Sequence, residues 1–161
     1  MAIDEKIGAK GYFEVVEILR DELLRNNKVR TVTVGDISEI DLDKQTIFPL
    51  AHIIVNNVSF EPQIATYNIS ILLMDMVHED TTTDEPLIYQ NDNEMYVLNT
   101  MLLIGNYVTD RLSMGALYDG NKFIERSTVD AEPFKDRFEN TLAGWTFTFD
   151  ITLRNNIDRC S

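Results

Sequence analysis

The chain has 161 residues, 44% hydrophobic and 25% charged, with a formal net charge of −13 from 27 acidic and 14 basic residues. Its length suits one domain that buries a core without disulfides or metals, so residues 1–161 are read as a single domain with an N-terminal arm at 1–10 and a short polar tail at 157–161. The acidity argues against broad binding to nucleic-acid backbone or to anionic membrane surfaces, and no apolar run approaches the ~20 residues that span a bilayer.

The first periodic segment is "GYFEVVEILRDELLRNN", residues 11–27. Tyr12, Val16, Leu19 and Leu23 recur at helical spacing, and Phe13, Val15, Ile18 and Leu24 widen the stripe, which predicts a helix with one buried face. Asn26 and Asn27 suit its stop. "VRTVTVG", residues 29–35, is short and β-branched and predicts a strand. Residues 36–46 are acidic and turn-rich, and read as a loop.

Residues 51–58 and 64–76 predict two long strands joined by a turn at Pro62, an antiparallel hairpin. In the second strand Tyr67, Ile69, Ile71 and Leu73 form one face, while Thr66, Asn68 and Ser70 form the other. Residues 78–93 are polar, acidic and Thr-rich and predict a mobile loop. A second helix is expected over 94–114, with Val97, Met101, Ile104, Val108 and Leu112 at helical spacing and Leu98, Leu102 and Tyr107 adding to the stripe. Asn91 with Glu94 resembles a capping box, Gly115 suits the stop, and Gly105 in the interior implies a close backbone approach.

Asp119-Gly120-Asn121 predicts a short hairpin within residues 115–129, and residues 131–144 read as a connector with a helical turn. The last strand, "GWTFTFDITLRN", alternates without error. Trp145, Phe147, Phe149, Ile151 and Leu153 face a core, and Thr146, Thr148, Asp150, Thr152 and Arg154 face away. Paired, alternating strands with two helical segments predict an α+β fold, with both helices packed on one face of a mainly antiparallel, twisted β-sheet.

The sequence carries little sign of catalysis. His52 lies in an apolar strand and reads as structural, and His78 opens an acidic loop; neither has the spacing of a zinc motif. The acidic series Asp36, Glu39, Asp41 and Asp43 lacks the glycine and glutamate of a calcium-binding EF-hand loop in either register. No nucleophile elbow, Walker loop or dinucleotide motif occurs. Cys160 is a single cysteine, which fits a reducing compartment, and the charged first ten residues carry no apolar h-region, so no secretory signal is expected. No enzyme activity, cofactor or metal is expected from these residues.

The serial arrangement resembles the tail terminator, or tail completion, proteins of tailed bacteriophages. The resemblance runs over roughly residues 11–156: the N-terminal helix, "TVTVGDISEIDLDK" leading into "FPLAHIIVNNVSF", the strand "IATYNISILLMD", an acidic loop, the helix "EMYVLNTMLLIGNYVTDRL", and "AEPFKDRFENTLAGWTFTFDITLRN". It implies a non-enzymatic virion protein, assembled in the bacterial cytoplasm, that forms a closed ring with itself, commonly a hexamer, at the head–tail junction. Its implied partners are the tail tube or other neck proteins and the head-side connector, with genomic DNA passing through the ring and no membrane contact.

The strand pattern makes Thr146, Thr148, Asp150, Thr152 and Arg154 a threonine-rich sheet surface, left to water in a monomer or laid against a neighbour as a subunit interface in a ring. The acidic residues Asp36, Glu39, Asp41, Asp43, Glu79, Asp80, Asp84 and Glu85 are expected in loops facing the lumen or a partner, where negative charge lets DNA slide without adsorbing. Two alternatives stay open: an acidic adaptor module of a phage-derived injection machine, and a small carboxylate- or metal-dependent enzyme.

Overall fold

The computed structural model describes residues 5–39, 47–78, 94–113, 124–137 and 141–154. Among them α1 spans Glu5–Arg25, β1 Thr31–Val34, β2 Leu50–Glu61, β3 Ile64–Met76, α2 Glu94–Arg111, β4 Ile124–Arg126, β5 Asp130–Arg137 and β6 Thr141–Arg154. The strands form one sheet in the order β1-β2-β3-β6-β4, with β5 also pairing β6. Every pairing is antiparallel except β1 with β2, which is parallel. The fold is therefore α+β, with the helices packed on a mainly antiparallel sheet, as the alternation in the strands predicts.

Period-2 alternation puts one residue set of each strand under the helices. Val15, Leu19 and Leu23 of α1, with Val97, Met101, Ile104 and Val108 of α2, pack on Ile53, Ile69, Ile71, Leu73, Phe147, Phe149 and Ile151. Full burial of each such side chain contributes about 1.5–3 kcal/mol, so this layer dominates the stability of the fold. Trp145 ties sheet to helix directly: its indole Nε1 donates to the main-chain carbonyl of Leu98 at 2.8 Å.

The apolar stripe of β2 changes phase, from Ile53 and Val55 to Val58. A bulge between Val55 and Asn57 accommodates the change. The extra residue keeps Val58 packed against the core while Asn56 turns to the far face of the sheet.

That far face has two zones. At one end Phe48, Leu50, Met74, Met76 and Leu142 form a second small core, with Ile37, Ile47, Leu72 and Phe134 packed against it. The cover comes from the crossover between β1 and β2 and from edge strand β5. Toward the other end the far face carries Asn56, Asn68, Ser70, Thr148 and Asp150, bonded to one another.

The structure corrects three local expectations. Of residues 131–144, read as a connector with a helical turn, 131–137 lie in β5 and 141–144 open β6, the two pairing in register from Asp130↔Thr148 to Arg137↔Thr141, while 138–140 lie outside the described residues. An edge strand with little buried surface lacks the alternation that marks an inner strand, and Pro133 is tolerated because an edge residue need not donate on its outer side. Ser127 joins β4 to β5: its N–H donates to the Asp150 carbonyl and its Oγ accepts from the Asp150 N–H. Of the hairpin expected over 115–129, Ile124–Arg126 is a strand on β6, while Asp119-Gly120-Asn121 lies outside the described residues.

The second correction concerns the helix stripes. Phe13 and Leu24 on α1, and Leu102 and Tyr107 on α2, are exposed rather than buried, and Tyr12 is 40% exposed. Each stripe is wider than the sheet below can cover. The third concerns Gly105, whose close neighbour is the ring of Phe147 and not a backbone. Asn91 and Gly115, expected at the ends of α2, lie outside the described residues.

Candidate functional site

The polar face of β6 is central in the far face because β6 runs between β3 and the edge strands. Thr148 pairs with Ser70 on one side and Asp130 on the other; Asp150 pairs with Asn68. Register alone thus lines up polar residues across three strands.

Their side chains bond in a continuous row. Asn56 Nδ2 donates to Asn68 Oδ1 and to Ser70 Oγ, each at 2.8 Å. Asn68 Nδ2 donates to the Asp150 carboxylate at 2.8 Å, and Ser70 Oγ lies 3.2 Å from Thr148 Oγ1. Ser70 is buried, whereas Asn68, Thr148 and Asp150 are half-buried. The bonds within the row use part of its donor and acceptor capacity, so a neighbour that covers it has fewer polar groups left to pair.

Of the expected interface residues, Thr148 and Asp150 join this row. Thr146 and Thr152 flank it, half-buried, opposite Leu72 and Thr66. Arg154 ends β6 opposite Ile64, and its side chain lies outside the described residues. Asn68 and Ser70, read from sequence as the polar face of β3 but not as part of an interface, complete the row with Asn56, which was not singled out. The phase change in β2 was the signal for Asn56.

Of the acidic set, Asp36 is exposed and its carboxylate accepts from the Ser38 N–H at 2.9 Å, which holds it below the usual carboxylate range. Glu39 ends a short 3-10 turn, Ile37–Glu39, and its side chain lies outside the described residues, as do Asp41, Asp43, Glu79, Asp80, Asp84 and Glu85 entirely. No group of three or more His, Cys, Asp or Glu able to hold a metal occurs among the described residues.

His52 is fully buried. Its Nδ1 lies 2.7 Å from Thr33 Oγ1 and its Nε2 2.9 Å from the Gly35 carbonyl oxygen. Nε2–H therefore donates to Gly35, and Nδ1 accepts from the threonine hydroxyl. Both nitrogens are used to fasten β1 to β2, and burial lowers the imidazole pKa. Glu22, also buried, receives Arg111 Nε at 2.7 Å and has Arg25 at 3.5 Å, joining α1 to the last turn of α2.

A second surface lies on the helix side. Met95, Tyr96, Leu102, Leu103 and Tyr107 point outward from α2, exposed by 58%, 68%, 36%, 58% and 50%. Among the described residues no helix is long and apolar enough to cross a membrane. No protein-family profile matches the chain, and no curated protein matches it.

Proposed function

We propose that the chain is a structural subunit of a tailed-bacteriophage virion, assembling with itself into a closed ring at the head–tail junction. In this reading it ends the tail tube, meets the head-side connector and lets DNA pass through an acidic lumen. It performs no chemistry and takes no cofactor.

The observation that carries this reading is the internally bonded polar row Asn56–Asn68–Asp150 and Ser70–Thr148 on the uncovered part of the sheet. A ring subunit needs a surface that a neighbour can cover without stranding hydrogen-bonding groups, and it must differ from the surface that covers it. The far sheet face and the outer face of α2 are two such different surfaces. The serial resemblance of the sequence to tail terminators supplies the biological setting, and the net charge of −13 fits a lumen that does not retain DNA.

Negative-stain microscopy tests the reading. Purified protein is expected to form closed rings, and protein mixed with tail tubes is expected to cap their ends. Thr148→Lys is expected to leave the circular dichroism spectrum unchanged and to abolish rings. Absence of both rings and caps at high protein concentration would sink the proposal.

A further inference from the structure

We infer that the outer face of α2 docks on the far sheet face of a second copy of the chain, so that copies join head to tail, helix layer to sheet. The inference rests on the self-assembly proposed above and names the two surfaces that meet.

Three observations carry it. The first is charge. In a chain of −13, like copies meet with least repulsion where charge is sparse. The exposed positions of α2 from Met95 to Tyr107 are Met95, Tyr96, Asn99, Leu102, Leu103, Asn106 and Tyr107, none of them charged. The sheet face is acidic: Asp150 lies in the polar row with its carboxylate accepting from Asn68, and register puts the exposed Asp130, Glu132 and Glu61 on the same face, so an uncharged helix face meets it with less repulsion than a second sheet face would.

The second is fit. A helix of 18 residues is about 27 Å long. Its outward residues from Met95 to Tyr107 cover about 18 Å of that length, and the uncovered far face, from the row Ile54–Ser70–Thr148 to the row Glu61–Ile64–Arg154, runs six residues along β3, about 20 Å. The five outward side chains of α2 expose about 500 Å² between them, taking ~200 Å² for a whole large side chain. A stable interface needs roughly 800 Å² per partner, so α2 supplies most of one, with Asn99 and Asn106 in the middle of its outward face, where their amides would meet the polar row of the sheet.

The third is continuity. The chain already covers one end of the far face with its own Ile37, Ile47 and Phe134. The remainder, from Ile54 to Thr152, is half-covered and ends in the exposed Ile64. A neighbour's helix there continues the apolar cover that the crossover begins. An α2-to-α2 contact, by contrast, makes a two-fold pair and leaves both sheet faces open.

Cross-linking decides between these arrangements. In a Cys160→Ser background, Leu103→Cys and Thr148→Cys proteins are purified separately, then mixed and treated with a short bis-maleimide. A cross-linked pair is expected in the mixture several-fold above either protein alone. Strong cross-linking of Leu103→Cys with itself would overturn the inference in favour of a two-fold contact. Rings seen by microscopy with no cross-link in the mixture would overturn the inference and leave the ring reading standing. A chain that stays monomeric at every concentration would overturn both. A label-free check uses Met95: its peroxide oxidation, read by mass spectrometry, is expected to slow several-fold as the protein associates, and an unchanged rate counts against the docking.

Discussion

A β-carbon added to Gly105 would stand 2.0 Å from Cζ of Phe147. The edge of the phenyl ring occupies the space that any other residue would need, and this sets how closely α2 lies on β6. Gly105→Ala thus brings two effects of opposite sign. Helix propensity alone stabilises the variant by about 1 kcal/mol. Overpacking against a ring held in the core costs about 1–3 kcal/mol. Net destabilisation is expected, measured by urea denaturation. Pairing Gly105→Ala with Phe147→Leu is expected to recover part of the loss, because the second change vacates the contested volume. A Gly105→Ala protein more stable than the parent would show that the ring moves aside freely.

How much of this was legible beforehand depends on where each residue sits. The inward set of β6 is readable because it is covered on one face only, which leaves a clean period of two in the sequence. The same logic fails for β5, an edge strand from Asp130 to Arg137 whose described side chains are mostly exposed, so that no burial pattern was imposed on it. On α2, periodicity found Val97, Met101, Ile104 and Val108, yet placed Tyr107 in the core, since composition cannot show how wide a stripe the sheet covers. The threonine face of β6 was visible as a pattern. Its partners Asn56, Asn68 and Ser70 are brought to it by strand register, a long-range relation that local spacing does not contain.

The ion pair between the helices predicts an asymmetry. Glu22 is the buried partner and Arg111 the more exposed one. Arg111→Met leaves a buried carboxylate with only the longer Arg25 contact, whereas Glu22→Gln leaves a guanidinium that water can reach. Arg111→Met is therefore expected to destabilise more than Glu22→Gln. Denaturation midpoints of the two single variants check the order, and the reverse order would mean that Arg25 alone satisfies Glu22.

Asn68 is the hinge of the polar row, donating to Asp150 and accepting from Asn56. Asn68→Ala breaks both bonds, but Asp150 is half-buried and Asn56 exposed, so water replaces much of what is lost. The expected cost in stability is about 1 kcal/mol. The expected effect on self-association is larger, since in an assembled ring those groups would be covered and unpaired. A stability loss with ring formation unchanged would place this row in solvent.

His52 makes the fold sensitive to mild acid, and the sign follows from burial. The lowered pKa means that the native state holds the ring neutral where the unfolded chain, at its ordinary 6.5, begins to take a proton. Its contribution is fully present above 6.5 and is lost as pH falls below that value toward the native pKa. Asp75 acts oppositely, because burial raises its pKa, so that the native state takes up that proton first and gains stability as pH falls through the carboxylate range. Between about pH 7 and 5.5 the histidine should dominate. Urea midpoints are expected to be flat above pH 7 and to decline below 6.5. In His52→Gln that decline is expected to vanish, although the variant is less stable at every pH because one amide cannot serve both Thr33 and Gly35 as the ring does. Thr33→Val removes the hydroxyl partner of Nδ1 but keeps the burial that lowers the pKa, so that variant is expected to be less stable and to retain the decline. A parent protein whose midpoint stays level from pH 7 to 5.5 would mean that His52 takes up a proton in place without loosening β1 from β2.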